Sequence, residues 1–149
     1  MDFSKERCDL LGAVVAVSAF LLADAVFIAR LATHPEAERL FGVFLLLLLL
    51  PLAYLQVSAF YLPRPRIYFL WIGLIIVYLL VELLLDYVVQ VPFREVRWQA
   101  ILYVMLFFGS FGGMIGVASL AGRAWAITAI VGFLSTTVLA FVQHRVTGL

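Results

Sequence analysis

Long apolar stretches alternate with short polar segments along the whole chain. Five stretches can each form a helix of about 20 residues, the length that crosses a bilayer core of about 30 Å. They cover about residues 10–31, 40–62, 67–91, 98–120 and 124–142. The segments between them are short and rich in Pro, Gly and charged residues, which are typical of turns. The pattern predicts an all-α integral membrane bundle of five transmembrane helices, with antiparallel neighbours, very short loops and a single domain over residues 1–149.

The composition agrees with a lipid environment. Hydrophobic residues make up 66% of the 149 positions and charged residues 13%, whereas soluble domains are about one-half apolar and one-quarter charged. The net charge of +1 indicates no nucleic-acid partner. Cys8 is the single cysteine, so an internal disulfide is excluded. We therefore expect the lipid bilayer to be the main partner and a prokaryotic inner membrane, or an equivalent membrane, to be the location.

The charged turns do not decide the orientation in the membrane. Side A is the side that holds the N-terminus, and it carries the basic residues Lys5, Arg7, Arg64, Arg66 and Arg123. Side B carries the basic residues Arg30, Arg39, Arg94, Arg97 and Arg145. The positive-inside rule compares such counts, and here they are equal. The acid-free Pro63–Arg66 loop slightly favours side A, and hence the N-terminus, as cytoplasmic.

Three acidic residues fall inside predicted spans: Asp24, Glu82 and Asp86. An ionisable group in hydrocarbon costs at least a few kcal/mol and marks a functional site more often than most residues do. Asp24 and Glu82 lie about 10 Å and about 13 Å from the side-B ends of their spans, by the helical rise of 1.5 Å per residue. Glu82 and Asp86 share one helix face, because they are four positions apart. The sequence predicts a carboxylate cluster that opens toward side B.

Polar residues near side B can tune such a cluster or contact a lipid headgroup. They are Arg30, Gln90, Arg94, Arg97, Tyr103 and His144. The leading hypothesis is a small membrane protein that binds or transports a proton, a cation or a cationic solute through Asp24, Glu82 and Asp86. A non-catalytic subunit of a larger membrane complex is the first alternative, in which other subunits or further copies are partners. A membrane enzyme that acts on a lipid headgroup is the second.

Glycines and one proline carry the expectations about helix packing. Gly109, Gly112, Gly113 and Gly116 give one span a small-residue face, which lets helices approach closely in lipid. We expect this face to pack against the last span, since the turn between the two is short. Pro51 removes a backbone donor in the middle of the second span and predicts a kink there.

Catalytic motifs are missing from the sequence. There is no glycine-rich phosphate loop and no paired-histidine metal motif, so we predict no catalytic residues and no cofactor. Three carboxylates with nearby amides suit a hard cation, but their spacing is not diagnostic of a metal site. The question of a metal ion stays open.

Overall fold

The computed structural model of the protein describes residues 5–62, 64–84 and 97–147. These residues form six α-helices and no strand. The helices are α1 (Lys5–Leu31), α2 (Pro35–Leu47), α3 (Leu49–Tyr61), α4 (Arg66–Glu82), α5 (Arg97–Ser119) and α6 (Arg123–Thr147). The prediction of an all-helical bundle is confirmed.

The helix limits follow the apolar stretches closely. Four stretches of the described chain are long and apolar enough to cross a membrane: Glu6–Leu31, Pro35–Tyr61, Arg97–Ser119 and Arg123–Val146. Helix α4 covers the first part of the third predicted span, whose residues 85–91 lie outside the described chain. Helix α1 begins at Lys5, before the predicted residue 10, and so includes a polar first turn.

The second predicted span is divided into α2 and α3 at Leu48. Pro51 has no backbone N–H, so the carbonyl of Leu47 loses the donor that a continuous helix would supply. The Leu48 N–H donates to the carbonyl oxygen of Leu45 at 3.1 Å, and regular bonding resumes when Leu52 donates to Leu48 at 3.0 Å. The regular helical hydrogen bonding is therefore interrupted at Leu48, about one turn before the proline.

The turn between α1 and α2 is tight and strained. Thr33 has a φ of 57°, in the left-handed region that glycine normally occupies at a helix end. The Thr33 N–H donates to the Arg30 carbonyl at 3.2 Å, and the His34 N–H donates to the Ala29 carbonyl at 2.9 Å. This pair of backbone hydrogen bonds is the Schellman motif. It reverses the chain within a few residues, and Pro35 then starts α2 with a suitable fixed φ.

Helix α5 lies at the centre of the bundle and contacts α1, α4 and α6. Its Phe111 ring lies 5.4 Å from the ring of Phe20 in α1 and 5.6 Å from the ring of Tyr78 in α4, measured between centroids. Phe107 packs on Phe111 at 4.7 Å. This aromatic core holds three helices together, because large rings bury much apolar surface at well-defined distances.

The side chain of Trp71 packs against two of the predicted packing glycines, Gly113 and Gly116. A Cβ atom on Gly116 would lie 2.6 Å from the Trp71 ring, and one on Gly113 would lie 3.2 Å from it. The sequence analysis predicted α6 as the partner, but Trp71 belongs to α4. A Cβ atom on Gly112 would lie 4.0 Å from the Phe133 ring of α6, whereas one on Gly109 would meet no atom of a described side chain or neighbouring helix within 4 Å. The glycines therefore do not form one contact face: Gly113 and Gly116 lie against α4, and Gly112 lies toward α6.

The outer surface of the bundle is strongly apolar. On α6, Val131, Leu134, Val138 and Phe141 are each exposed by 58–69%. Large aliphatic and aromatic side chains are exposed in the same way on the other helices. Soluble monomers rarely expose apolar patches of this extent.

Candidate carboxylate sites

Asp24 is bonded to two hydroxyl groups of the neighbouring helix α6. Ser135 Oγ donates to Asp24 Oδ2 at 2.9 Å, and Thr136 Oγ1 donates to Asp24 Oδ1 at 2.5 Å. Thr136 is buried, Asp24 is half-buried and Ser135 is exposed. Among the described residues, Asp24 has no basic partner within ion-pair distance. Each carboxylate oxygen thus accepts a neutral hydrogen bond, and the site remains partly open at the surface of the bundle.

Glu82 ends a chain of two tyrosines that connects α4 with α5. Tyr78 Oη donates to Glu82 Oε1 at 3.0 Å, one helical turn away. Tyr103 Oη lies 3.1 Å from Tyr78 Oη. Because Tyr78 has a single hydroxyl proton and gives it to Glu82, Tyr103 is the donor to Tyr78 in this arrangement. Tyr78 is 4% exposed, and its ring packs on Phe107 and Phe111.

The carboxylates of Asp24 and Glu82 lie between different pairs of helices. Asp24 is bonded between α1 and α6, whereas Glu82 is bonded to Tyr78 and through it to α5. Aromatic rings connect the helices of the two sites: the Phe27 ring lies 6.0 Å from Phe107, and Phe107 lies 5.6 Å from Tyr78. The described residues contain no group of three or more His, Cys, Asp or Glu side chains that could hold a metal ion. Asp86 lies outside the described chain.

Arg30 is occupied by partners other than the three predicted acids. Its guanidinium lies 2.7 Å from Glu38 Oε1, and its Nε donates to the same oxygen at 2.8 Å. Its Nη1 also donates to Gln143 Oε1 at 3.3 Å. The tight α1–α2 turn places Glu38 beside Arg30, which is why this nearby acid forms the ion pair.

The remaining predicted residues are spread over the side-B end. Arg97 is exposed at the first residue of α5, and His144 is exposed in the last turn of α6. Gln90 and Arg94 lie outside the described chain. An open depression at the α1–α2 turn is lined by His34, Pro35, Glu36 and Ala37. It contains neither Asp24 nor Glu82.

A buried ion pair at side A was missed by the sequence analysis. Arg64 Nη2 lies 2.6 Å from Asp9 Oδ1, and the two side chains are exposed by only 2% and 15%. The distance is that of an ion pair, but these two atoms, and Arg64 Nε, form no hydrogen bond of good geometry. The guanidinium lies 4.7 Å from the centre of the Tyr68 ring, a cation–π contact. The pair joins the start of α1 to the turn between α3 and α4.

The positions of Asp24 and Ser135 in their predicted spans could have indicated their contact. Asp24 lies seven residues before the end of the first predicted span, and Ser135 lies seven before the end of the fifth. Both spans run from side A to side B, so the two residues are at equal depth. The missing information was that α1 and α6 are neighbours.

Comparison with protein families, with curated proteins and with solved structures found no match to this chain.

Proposed function

We propose that this chain is a multi-pass membrane protein of a prokaryotic inner membrane or an equivalent bilayer. Four long apolar stretches support this proposal, as does the apolar outer surface of the bundle. In water such a surface would drive aggregation, whereas in lipid it is the normal exterior of a protein.

We infer that Glu82 takes up a proton or a small cation. The observation that carries this inference is the Tyr103–Tyr78–Glu82 hydrogen-bonded chain between α4 and α5. A carboxylate inside a membrane bundle is costly unless it has a partner or a task. Tyr78 donates to the carboxylate and Tyr103 lies 3.1 Å from Tyr78, so the acid ends a hydrogen-bonded chain along which a proton can move.

The chain has a geometry that suits proton uptake. With Glu82 ionised, each hydroxyl donates toward the carboxylate. With Glu82 protonated, the acid can donate to Tyr78 and Tyr78 can donate to Tyr103, because each phenol both gives and accepts one bond. Protonation then reverses the direction of the chain and leaves every oxygen bonded.

A cationic solute also fits the surroundings of Glu82. The carboxylate accepts a hydrogen bond from Tyr78, whose ring packs on Tyr103 at 5.7 Å and on Phe107 at 5.6 Å. Aromatic faces attract cations and strengthen the effect of a nearby negative charge. Na⁺, K⁺ and tetraphenylphosphonium are suitable probes because they differ in size and hydration.

The experiment measures proton and cation uptake into vesicles that contain the full-length protein. A pH-sensitive dye inside the vesicles reports protons, and an ion-selective electrode reports tetraphenylphosphonium. We expect Glu82→Gln to abolish the protein-dependent uptake, because glutamine keeps the size of the side chain and removes its charge. We expect Tyr103→Phe to slow the uptake, because the chain loses its outer donor.

Glu36→Gln is the matched control. Glu36 is exposed in the first turn of α2 and lies outside the tyrosine chain, so this variant should behave as the wild type. Wild-type uptake by Glu82→Gln, or no uptake of any probe by the unmodified protein, would overturn the proposal.

A second candidate function is that of an accessory subunit without chemistry of its own. It is favoured by Asp24 and Arg30, whose polar groups are bonded within the bundle as structural groups would be. It predicts stable association with other membrane subunits during extraction in a mild detergent. The same vesicle experiment separates the two candidates, since an accessory subunit alone transports none of the probes.

A further inference from the structure

The surface around Asp24 is a polar spot within an apolar face. On α1, the neighbours along the same stripe are Leu21 and Ile28, exposed by 64% and 54%. On α6, Ser135 shares its stripe with Val131 and Val138, which are both exposed by 60%. Asp24 and Ser135 are therefore the polar groups between two rows of exposed aliphatic side chains.

The polar spot at Asp24 and Ser135 can accept further hydrogen bonds but has no hydroxyl proton left to donate. Both hydroxyl protons of Ser135 and Thr136 are already donated to Asp24. The unused capacity consists of oxygen lone pairs on the carboxylate and on the exposed Ser135 hydroxyl. The complementary group is a donor with a positive charge, since polar groups in the membrane find partners of opposite charge or donors in neighbouring helices.

A second copy of this chain does not supply that donor. The basic residues of the sequence lie in the turns or near the ends of the predicted spans. Asp24 lies about 10 Å inside the side-B end of α1, by the helical rise of 1.5 Å per residue. Arg145, on the same helix as Ser135, is ten residues away from it, or about 15 Å of rise.

We propose that the α1–α6 surface at Asp24 and Ser135 docks a transmembrane helix of another protein, one that carries a lysine or arginine at the depth of Asp24. The exposed aliphatic rows pack along that helix, and its cation takes the free lone pairs of the carboxylate. The proposal rests on membrane insertion, which is itself proposed above. It does not depend on uptake at Glu82.

The test uses a synthetic Leu/Ala helix of about 23 residues, long enough to span the bilayer. Its single lysine is placed about 10 Å from one end, and a matched peptide has leucine there. Energy transfer is measured between the labelled peptide and the labelled full-length protein in phosphatidylcholine vesicles. We expect the lysine peptide to bind the wild type about threefold to tenfold more tightly than it binds Asp24→Asn, the range found for polar contacts between membrane helices.

Two controls define the result. Glu36→Gln should bind the lysine peptide as the wild type does, because this exposed acid lies in the first turn of α2, away from the α1–α6 surface. Thr136→Val removes one hydroxyl partner and keeps the charge of Asp24, so lysine-dependent binding should persist. If Asp24→Asn folds poorly, the lysine and leucine peptides compared on the wild type still test whether the site selects a cation.

Several outcomes would overturn the proposal. Equal binding of the lysine and leucine peptides would show that the carboxylate does not select a cation. If dodecylamine gives the same Asp24-dependent binding at equal membrane concentration, the occupant is an amphiphile. If labelled copies of the protein associate with one another in an Asp24-dependent way, the occupant is a second copy. Glu82→Gln, which tests the uptake proposal, is expected to bind the lysine peptide as the wild type does, so each proposal can fail alone.

Discussion

The two aspartates of helix α1 have different partners in the bundle. Asp9, near side A, faces the guanidinium of Arg64 in a contact that is almost closed to the outside. Asp24, fifteen residues further along the helix, accepts two neutral hydroxyl bonds and stays half-buried. The same chemical group is thus neutralised by an opposite charge at one end and only solvated at the other.

The two contacts differ in what compensates the carboxylate. A buried ion pair satisfies its own charges and ties two segments together, and losing one partner leaves a charge without compensation. A carboxylate that accepts only hydroxyl bonds has no such partner, and its remaining lone pairs can accept from a further donor. Asp24 is the position at which we propose a docked helix, whereas the Asp9–Arg64 pair joins two segments of the bundle.

The largest effect is expected from breaking the ion pair. Arg64→Met should lower the free energy of unfolding by about 3–5 kcal/mol, because Asp9 is left as an unpaired, largely buried charge. Denaturant titration of the protein in micelles measures this. Arg66→Met is the matched control, since Arg66 is exposed two residues away and should change stability by less than about 0.5 kcal/mol.

Replacing both partners tests the cause. The double variant Asp9→Leu with Arg64→Met should recover most of the lost stability, because apolar side chains of similar volume can replace a buried pair. A double variant as unstable as Arg64→Met alone would show that the cost comes from packing against Tyr68 and not from the uncompensated charge.

A smaller effect is expected at the other carboxylate. Asp24→Asn keeps the size of the side chain and one acceptor oxygen, so it should lower the free energy of unfolding by about 1 kcal/mol, as polar contacts between membrane helices do. Thr136→Val should cost a similar amount, and the double variant should cost less than the sum of the two because the residues share one bond. If Asp24→Asn lowered the free energy of unfolding as much as Arg64→Met does, the two sites would not differ as described.

The smallest effect is expected at the end of α1 beyond Asp24. Thr33→Gly should raise the free energy of unfolding by about 0.5–1 kcal/mol, because glycine adopts a φ of 57° without steric strain. Thermal unfolding in micelles measures the gain. Gly122→Ala is the converse control: its φ of 140° should make alanine destabilising although space is available. The gain should add to the loss from Asp24→Asn if the turn and the carboxylate site are independent.

Much of the helical structure could be predicted from local sequence. The apolar stretches and their breakers predicted the limits of α5 and α6 to within a few residues. Pro51 indicated the division of the second span, because a missing N–H acts on the helix that contains it. Such features depend on neighbours only a few positions away.

The candidate sites were less predictable. Arg30 was expected near Asp24, Glu82 and Asp86, but it is bonded to Glu38 and Gln143. The glycine face of α5 was expected against α6, but Gly113 and Gly116 receive Trp71 of α4. Both contacts depend on which helices are neighbours and on how each helix is rotated about its axis. The sequence of an almost uniformly apolar helix indicates neither its neighbours nor its rotation.

The sequence by itself determined the class of protein: helices of membrane-spanning length, short polar turns and acidic residues within apolar spans. Only the tertiary structure decided that Asp9 meets a guanidinium, that Asp24 meets two hydroxyls and that Glu82 ends a tyrosine chain. The physical reason is that helix formation is settled by hydrogen bonds four residues apart. The partner of a polar side chain is settled by contacts between helices that are distant in sequence, as in the 111 residues between Asp24 and Ser135.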